Sequence, residues 1–303
     1  MTRVLVTGAG GQVGAETTRL LEGRAEVIAH GRASLDLTDA SQIAARVREA
    51  KPAVIVNAAA YTAVDRAESE PGLARAVNAT APAILAAEAR AAGALLVHFS
   101  TDYVFDGTKR EPYAESDATA PLGIYGQTKL DGEIAIAESG CDYVILRTAW
   151  VYGPAGRNFM LTMLRLAEKG GSIRVVSDQR GAPTTSAQIA RAVLALLGGA
   201  GGDIDAESIA RVKGSPGVYH ATASGETTWH GFATAIFEER AKRSDGSFKI
   251  PRVEAITTAE YPTPAKRPAY SVLSNAKLER TFGVRLGGWR EGLAEAVSVL
   301  AGR

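Results

Sequence analysis

Short apolar, β-branched runs alternate with longer Ala-rich stretches through the first half of the chain. The apolar runs are residues 3–7, 25–29, 53–57, 94–99 and 143–147. Such continuous runs are typical of parallel strands buried on both faces. The stretches of helical composition between them are residues 12–22, 40–50, 72–92 and 125–138. Alternating strands and helices form right-handed βαβ units, so the pattern predicts an α/β fold with a Rossmann-like, doubly wound parallel sheet.

The alternation becomes irregular after about residue 150. The Gly-rich residues 198–202 and the polar stretch 203–217 indicate an exposed connection, and residues 261–268 contain three prolines. We therefore predict that residues 1–150 form mainly a dinucleotide-binding domain. Residues 151–303 are predicted to form mainly a smaller substrate-binding lobe, with returns to the main sheet.

Composition narrows the class of protein further. The chain has 303 residues, 46% of them hydrophobic, and a formal net charge of +1. It can bury a large core, and it lacks the charge excess that favours binding to nucleic acids or membrane surfaces. The single Cys141 excludes an internal disulfide, and neither a signal peptide nor a run of ~20 apolar residues is visible. We expect a cytoplasmic protein that binds neither membranes nor nucleic acids.

A glycine-rich turn follows the first predicted strand and begins a helix. Gly8, Gly11 and Gly14 fit a G-x-x-G-x-x-G spacing. Glycines allow a tight turn and a close approach of backbone amides to a pyrophosphate, which the helix N-terminus then stabilises. We predict a dinucleotide site that includes Gln12 and Val13, the alternative being a purely structural turn.

The end of the second predicted strand bears on the choice of cofactor. A carboxylate usually lies there in NAD sites, whereas this chain has Arg32, which suits a 2′-phosphate. We predict NADPH, with NADH as the alternative. Asp36 and Leu37 are predicted beside the adenine, unless they form a surface turn.

Tyr125 and Lys129 share one face of a predicted helix because they are four residues apart. A free tyrosine has a pKa of ~10, and a lysine cation ~4 Å away lowers it by up to about three units at an effective dielectric of ~20. The pair is therefore expected to bring the pKa of Tyr125 near 7. Thr101, at the end of the fourth predicted strand, is predicted to orient a substrate carbonyl toward Tyr125, the alternative being a local turn hydrogen bond.

Several longer segments extend this pattern over nearly the whole chain. They are residues 57–65 (NAAAYTAVD), 100–105 (STDYVF), 125–133 (YGQTKLDGE), 146–153 (LRTAWVYG), 178–184 (DQRGAPT) and 261–268 (YPTPAKRP). With them the chain resembles the dTDP-4-dehydrorhamnose reductases, within the extended short-chain dehydrogenase/reductase family. The resemblance implies reduction of the C4 ketone of dTDP-4-dehydro-L-rhamnose in dTDP-rhamnose biosynthesis for cell-wall polysaccharide. Its triad would be Thr101, Tyr125 and Lys129.

The resemblance also implies contacts with cofactor and substrate. Ala58, Ala59, Ala60 and Tyr61 would line the cofactor together with Tyr125, and Lys129 would reach the nicotinamide ribose. Arginine forks suit diphosphates, and we prefer Arg267 over Arg180 for this contact, unless Arg267 belongs to a solvated basic turn. Trp150 is predicted to cover the sugar or to pack in the core. The remaining predicted substrate contacts are Val64, Asp102, Tyr103, Asn158 and Gln179.

The metal, the oligomeric state and the exact reaction stay open at this point. Some members bridge a dimer through Mg²⁺, but Ala187 and Gln188 lie where an acidic partner of Glu16 is expected, so we predict no required metal. The chain is a monomer or a homodimer. Dehydratases and epimerases share the fold, but dehydratases commonly have Asp-Glu after the catalytic threonine, where this chain has Asp102-Tyr103. The chain could also reduce a different nucleotide 4-ketosugar, or serve as an NADP-binding regulatory subunit of methionine adenosyltransferase.

Overall fold

A parallel six-stranded sheet forms the centre of the computed structural model, which describes residues 1–198 and 203–302. Its strands lie in the order β10-β5-β4-β3-β1-β2, and every neighbouring pair is parallel. They are β1 (Arg3–Thr7), β2 (Glu26–His30), β3 (Val54–Asn57), β4 (Leu95–Thr101), β5 (Asp142–Thr148) and β10 (Gly217–His220). The doubly wound α/β fold predicted from the sequence is confirmed.

Helices cover both faces of this sheet and build the second lobe. The first half contains α1 (Gln12–Leu21), α2 (Ala40–Ala50), α3 (Val64–Ala67), α4 (Pro71–Arg75), α5 (Ala81–Ala92) and α6 (Ile124–Glu138). The second half contains α7 (Phe159–Lys169), α8 (Ser186–Leu197), α9 (Ala206–Lys213), α10 (Trp229–Lys242), α11 (Ala276–Phe282) and α12 (Trp289–Ala301). A π-helical turn, Ala76–Thr80, joins α4 to α5, so the predicted helix 72–92 is one nearly continuous helical segment.

Two apolar cores form because successive strand residues point to opposite faces. Val4 and Val6 of β1 pack with α1, α8, α9 and α11, whereas Leu5 packs with α2, α5 and α6. All three side chains are fully buried. Residues of the second half therefore cover one face of the sheet, since α8 and α9 belong to the same core as β1.

The second lobe has short strands and a core of its own. Its strands are β6 (Val151–Tyr152), β7 (Ser172–Val176), β8 (Arg180–Gly181), β9 (Thr184–Thr185), β11 (Thr227–Thr228) and β12 (Arg252–Ile256). They form three two-stranded sheets, β11-β8, β12-β7 and β6-β9. The third core packs residues of α7, α10 and α12 against β7.

One expectation about the second half is wrong. Residues 203–217 are not an exposed connection, because they contain α9 and lead into β10. Ile209 and Val212 of α9 are buried in the main core, where their three-residue spacing places them on one helix face. Residues 199–202, predicted to belong to the same connection, lie outside the described residues. The predicted division near residue 150 stays a prediction.

Within 1–198 and 203–302, no helix combines the length and apolar character that crossing a membrane requires.

Candidate active site

The glycine-rich turn joins β1 to α1 at the carboxyl edge of the sheet. Gly8 has φ +69°, and a Cβ there would lie 2.6 Å from the backbone nitrogen of Ala59. A Cβ on Gly14 would lie 2.1 Å from the carbonyl oxygen of Gly8. Only glycine fits at either position. No side chain caps α1 at Gly11, and its first turn has no acidic residue, so its N-terminus suits the phosphates of a dinucleotide.

A cleft of about 770 Å³ begins at this turn and follows the ends of the strands. It contains most of the residues predicted to bind cofactor or substrate. Those in its lining are Gly8, Gly11, Gln12, Val13, Arg32, Asp36, Leu37, Ala58, Ala59, Ala60, Tyr61, Val64, Thr101, Asp102, Tyr103, Tyr125, Lys129 and Trp150. One cavity thus joins the phosphate turn, the end of β2 and the predicted catalytic residues.

The loop after β3 is held in place by the buried Asn78 of the π-helical turn. Its Oδ1 accepts a hydrogen bond from the Tyr61 backbone amide at 2.8 Å, and its Nδ2 donates to the Tyr61 carbonyl at 3.1 Å. The phenol of Tyr61 donates to Glu70 at 2.6 Å. These bonds fix Ala58–Tyr61 along the cleft wall, where the sequence predicted contact with the cofactor.

Close packing brings Tyr125 to Thr101. A Cβ on Gly126 would lie 2.2 Å from the carbonyl oxygen of Tyr103, so glycine lets α6 approach the single 3₁₀ turn Asp102–Val104. The rings of Tyr103 and Tyr125 then meet edge to face at 5.5 Å. The Thr101 hydroxyl donates to Asp102 Oδ1 at 3.0 Å and accepts from the Tyr103 amide at 3.1 Å.

The expectation that Lys129 brings the pKa of Tyr125 near 7 is wrong for this arrangement. Burial raises the pKa of Tyr125 to about 12; a hydrogen bond from Thr101 opposes the rise and the charge of Asp102 adds to it. The Lys129 ammonium points instead to the carbonyl oxygen of Phe99, at 2.6 Å, and to His98 Nε2, at 3.1 Å. Tyr125 is therefore protonated throughout the neutral range, as a proton donor requires.

Burial also shifts the pKa values of two other cleft groups in the direction that favours their uncharged forms. It lowers the pKa of Lys129 to about 8, an effect that the charge of Glu133 opposes. It raises the pKa of Asp102 to about 6. The cleft end near Tyr125 thus holds several groups with strongly shifted pKa values, which is typical of catalytic sites.

Several cleft residues were not predicted from the sequence. Ser100 Oγ and Thr148 Oγ1 are buried, line the cleft and have no hydrogen-bond partner among the described residues. Arg66 and Arg157 also line it. Ser100 adjoins Thr101 in the STDYVF segment, and Thr148 follows Arg147 in LRTAW, so an argument from strand ends would have found both hydroxyls.

The end of the cleft where the sequence predicts the adenosine lies beyond β2. Arg32 lines it, together with His30 and Thr38. Asp36 accepts hydrogen bonds from the backbone amide and the hydroxyl of Thr38, each at 2.8 Å, and these bonds lower its pKa. Asp36 thus stabilises the turn to which it belongs, and it also lines the cleft.

Trp150 adopts a left-handed backbone conformation, φ 48°, which is rare for a bulky residue. Its indole stacks on Trp229 with ring centroids 3.5 Å apart, and it closely covers Gly181, where a Cβ would lie 2.4 Å from Trp150 Cε2. Trp150 lines the cleft and also stacks on Trp229, which packs against the core of the second lobe; its contact with the sugar stays a prediction.

Four predicted residues lie outside the cleft lining. Gly14 packs on Gly8 from within α1. Asn158 caps α7 and donates to Gln12 Oε1 at 2.8 Å, whereas Gln179 is buried and donates to Thr258 at 3.0 Å. Arg267 pairs with Asp65 at 2.9 Å; burial lowers the pKa of its guanidinium, but this hydrogen bond holds that pKa above its usual value. Direct substrate contacts by Asn158, Gln179 and Arg267 stay predictions.

The residues considered for metal binding have other partners. Glu16 pairs with Arg19 at 2.9 Å. Gln188 forms a capping box with Thr185 at the start of α8. The absence of a metal requirement stays a prediction.

The fold and the site together define an oxidoreductase of the extended short-chain dehydrogenase/reductase class. A family model described as RmlD substrate binding domain matches residues 1–301. The dTDP-4-dehydrorhamnose reductase of Burkholderia thailandensis is 47% identical over 289 residues, which are 95% of each chain. The chain therefore belongs to the RmlD family of dTDP-4-dehydrorhamnose reductases.

Solved structures agree over the whole chain. A dTDP-4-dehydrorhamnose reductase from Clostridium acetobutylicum is 40% identical, with a TM-score of 0.88 and coverage of 99% of both chains. Another from Bacillus anthracis, in complex with NADP, is 34% identical, with a TM-score of 0.88 and coverage of 99% of this chain and 100% of that one.

Proposed function

We propose that the chain reduces the C4 ketone of dTDP-4-dehydro-L-rhamnose to the hydroxyl of dTDP-L-rhamnose, with NADPH as the hydride donor. The observation that carries the proposal is that Thr101, Tyr125 and Lys129 line the same cleft as the glycine-rich turn. Membership of the family supports the choice of reaction and substrate. A regulatory role on methionine adenosyltransferase has no comparable support.

The reduction needs a hydride at C4 and a proton at the C4 oxygen. NADPH, which the glycine-rich turn and Ala58–Tyr61 would hold, would supply the hydride when bound. Tyr125 supplies the proton from its hydroxyl, which is available because burial keeps its pKa at about 12. The hydroxyl of Thr101 turns from Asp102 to donate to the same oxygen, and it stabilises the negative charge that develops there. The Lys129 ammonium adds favourable charge beside the tyrosinate that remains.

The sugar and the diphosphate occupy the cleft beyond Tyr125. Val64, Asp102, Tyr103 and Trp150 contact the sugar from the cleft wall. Ser100 and Thr148 offer hydroxyls without partners among the described residues, which suit the hydroxyl groups of the sugar. Arg267 approaches the diphosphate from the proline-rich loop, where its pair with Asp65 holds it near Tyr103.

Arg32 favours NADPH over NADH. It lies in the cleft lining at the end of β2, where no carboxylate replaces it. Its guanidinium suits a 2′-phosphate, whereas an NAD-specific site needs an acceptor for the ribose hydroxyls. NADH is a weaker second cofactor in this proposal.

Turnover of the sugar nucleotide tests the proposal. The purified chain is mixed with dTDP-4-dehydro-L-rhamnose and NADPH, and the loss of absorbance at the dihydronicotinamide band is followed. We expect oxidation of one NADPH for each dTDP-L-rhamnose formed. Turnover only with another nucleotide 4-ketosugar would assign a different substrate, and a chain that binds NADPH but reduces neither would contradict the proposal.

The cellular location, the oligomeric state and the metal requirement are also part of the proposal. A cytoplasmic location suits a reaction that consumes NADPH and a nucleotide sugar. We propose a monomer or a homodimer that needs no metal, so chelation should leave turnover unchanged. Loss of activity on chelation with rescue by Mg²⁺ would contradict the last point.

A further inference from the structure

A row of polar side chains crosses the apolar sheet beneath the cleft. Thr7 of β1, Asn57 of β3 and His98 of β4 are register partners on three adjacent strands. Thr7 Oγ1 lies 2.6 Å from Asn57 Oδ1, and Asn57 Nδ2 lies 2.9 Å from His98 Nδ1. All three residues are at most 1% exposed. Buried polar groups cost stability unless they are bonded, so this row needs a reason beyond packing.

The row ends at the Lys129 ammonium. Lys129 Nζ lies 3.1 Å from His98 Nε2 and 2.6 Å from the Phe99 carbonyl oxygen. An ammonium has three N–H donors and no acceptor. Two N–H groups of the ammonium therefore donate to acceptors on β4. The third N–H is left for a group in the cleft, which Lys129 lines.

The charge of Lys129 determines the tautomer of His98. Burial lowers the pKa of His98 well below its usual value, so the ring is neutral and has one N–H and one acceptor. Because a charged Lys129 donates to Nε2, the ring proton is on Nδ1. This tautomer requires the Asn57 amide to be turned over, so that its oxygen takes the place of Nδ2 and accepts from Nδ1, while Nδ2 faces Thr7. The Thr7 hydroxyl accommodates this orientation, since it donates or accepts equally well.

We propose that His98 is a positioning residue, whose Nε2 holds the Lys129 ammonium in its charged, cleft-directed orientation while Asn57 fixes the imidazole. The proposal rests on the proposed function, because the ammonium is taken to act beside Tyr125. Val97 and Phe99, next to His98 along β4, and its register partner Ile145 on β5 have no side-chain acceptor.

Few other charges act on Lys129. Glu133, one turn along α6, raises its pKa but is itself bonded to Arg147. Tyr125 and Asp102 lie at the cleft end of the same cluster. The acceptor at His98 Nε2 therefore supports the charged form, which burial disfavours, together with the Phe99 carbonyl oxygen.

A pair of polar substitutions tests the proposal. The amide of His98→Gln reaches the Nε2 position, whereas that of His98→Asn reaches only the Nδ1 position. Lys129 is titrated by NMR with ¹³Cε-lysine, its signal identified by its loss in Lys129→Arg. We expect Gln to keep a pKa near 8 and Asn to lower it by about one unit, since a lost bond to a charged group costs about that much.

The pH dependence of kcat in the same variants provides a second test of the proposal. In His98→Asn the alkaline limb of kcat should move down by about one pH unit, which lowers kcat about fivefold at pH 8. His98→Gln should retain the wild-type limb. His230→Asn is the control, because His230 lies on α10 and contacts the Val253 carbonyl instead of the cleft.

One outcome would overturn the proposal: equal Lys129 titrations in the Gln and Asn variants, whether both match wild type or both are shifted alike. The NMR result does not depend on turnover. A wild-type chain that leaves the sugar nucleotide unreduced while the Gln and Asn titrations differ would contradict the proposed function and leave the positioning role in place.

Discussion

The two halves of the molecule place their site residues by different means. In the first half, parallel strands of four to seven residues end at one edge of the sheet, and Thr7, Asn57 and Thr101 lie at those ends. In the second half, four of the strands have only two residues, and individual side chains hold the loops in place. Arg267 pairs with Asp65, and Asp178 accepts from Thr258.

Because of this difference, we expect substitutions in the two halves to have different effects. A βαβ unit places a residue through many backbone hydrogen bonds, so no single side chain determines where the strand ends. A loop placed by an ion pair depends on both partners. Changes in the strands and turns of the first half should therefore affect chemistry or folding, whereas loss of a side chain that holds a second-half loop should affect mainly the affinity for the sugar nucleotide.

Removing the proton donor should have the largest effect. Tyr125→Phe deletes the buried hydroxyl beside Thr101 and leaves the sheet intact. We expect kcat to fall about 10²–10⁴-fold, while NADPH affinity and the thermal midpoint stay near wild type. Tyr143→Phe on β5 is the matched control and should retain full activity. A Tyr125→Phe enzyme with wild-type kcat would show that another group supplies the proton.

A crowded glycine tests the rigidity of the first half. Gly14→Ala introduces a Cβ 2.1 Å from the Gly8 carbonyl oxygen, so the turn has to move. We expect NADPH affinity to fall at least about tenfold and stability to fall by about 1–3 kcal/mol, the usual cost of overpacking. Fluorescence titration and thermal unfolding measure the two effects.

Gly72→Ala is the control for this change, since nothing lies within 4 Å of the Cβ it adds on α4. It should leave both quantities unchanged or slightly raise stability. Equal effects of the two substitutions would mean that the turn is not constrained by its own packing.

Loss of one ion pair tests the second half and should have the smallest effect. Asp65→Asn weakens the bond that holds Arg267, whose side chain is 23% exposed. We expect KM for the sugar nucleotide to rise about fivefold, an energy of about 1 kcal/mol, while NADPH affinity stays unchanged.

Arg174→Gln is the matched control, because its pair with Glu260 belongs to the same loop region but is 55% and 50% exposed. Exposed pairs contribute little, so steady-state kinetics should match wild type. A change in NADPH affinity with unchanged KM in Asp65→Asn would place Arg267 at the cofactor instead of the sugar nucleotide.

Prediction from sequence was accurate where the local pattern determines the structure. Each of the five predicted strands is present within two residues at either end, and the glycine turn, Thr101 and Tyr125 share one cleft. The prediction failed where a segment of mostly polar composition also contains a few buried apolar residues. The polar stretch 203–217 hides Ile209 and Val212, which reach the core only after α9 forms. Ser100 and Thr148 lie at the ends of β4 and β5 and were missed because the strand-end argument was applied only to Thr101.

The sequence by itself determined the order of strands and helices, the phosphate turn and the spacing of Tyr125 and Lys129. Periodicity and glycine spacing are local, and local sterics and burial decide them. Only the tertiary structure decided what these groups do to each other. Lys129 turns to His98 and Phe99, and burial raises the pKa of Tyr125, because desolvation and hydrogen bonding depend on residues distant in the chain.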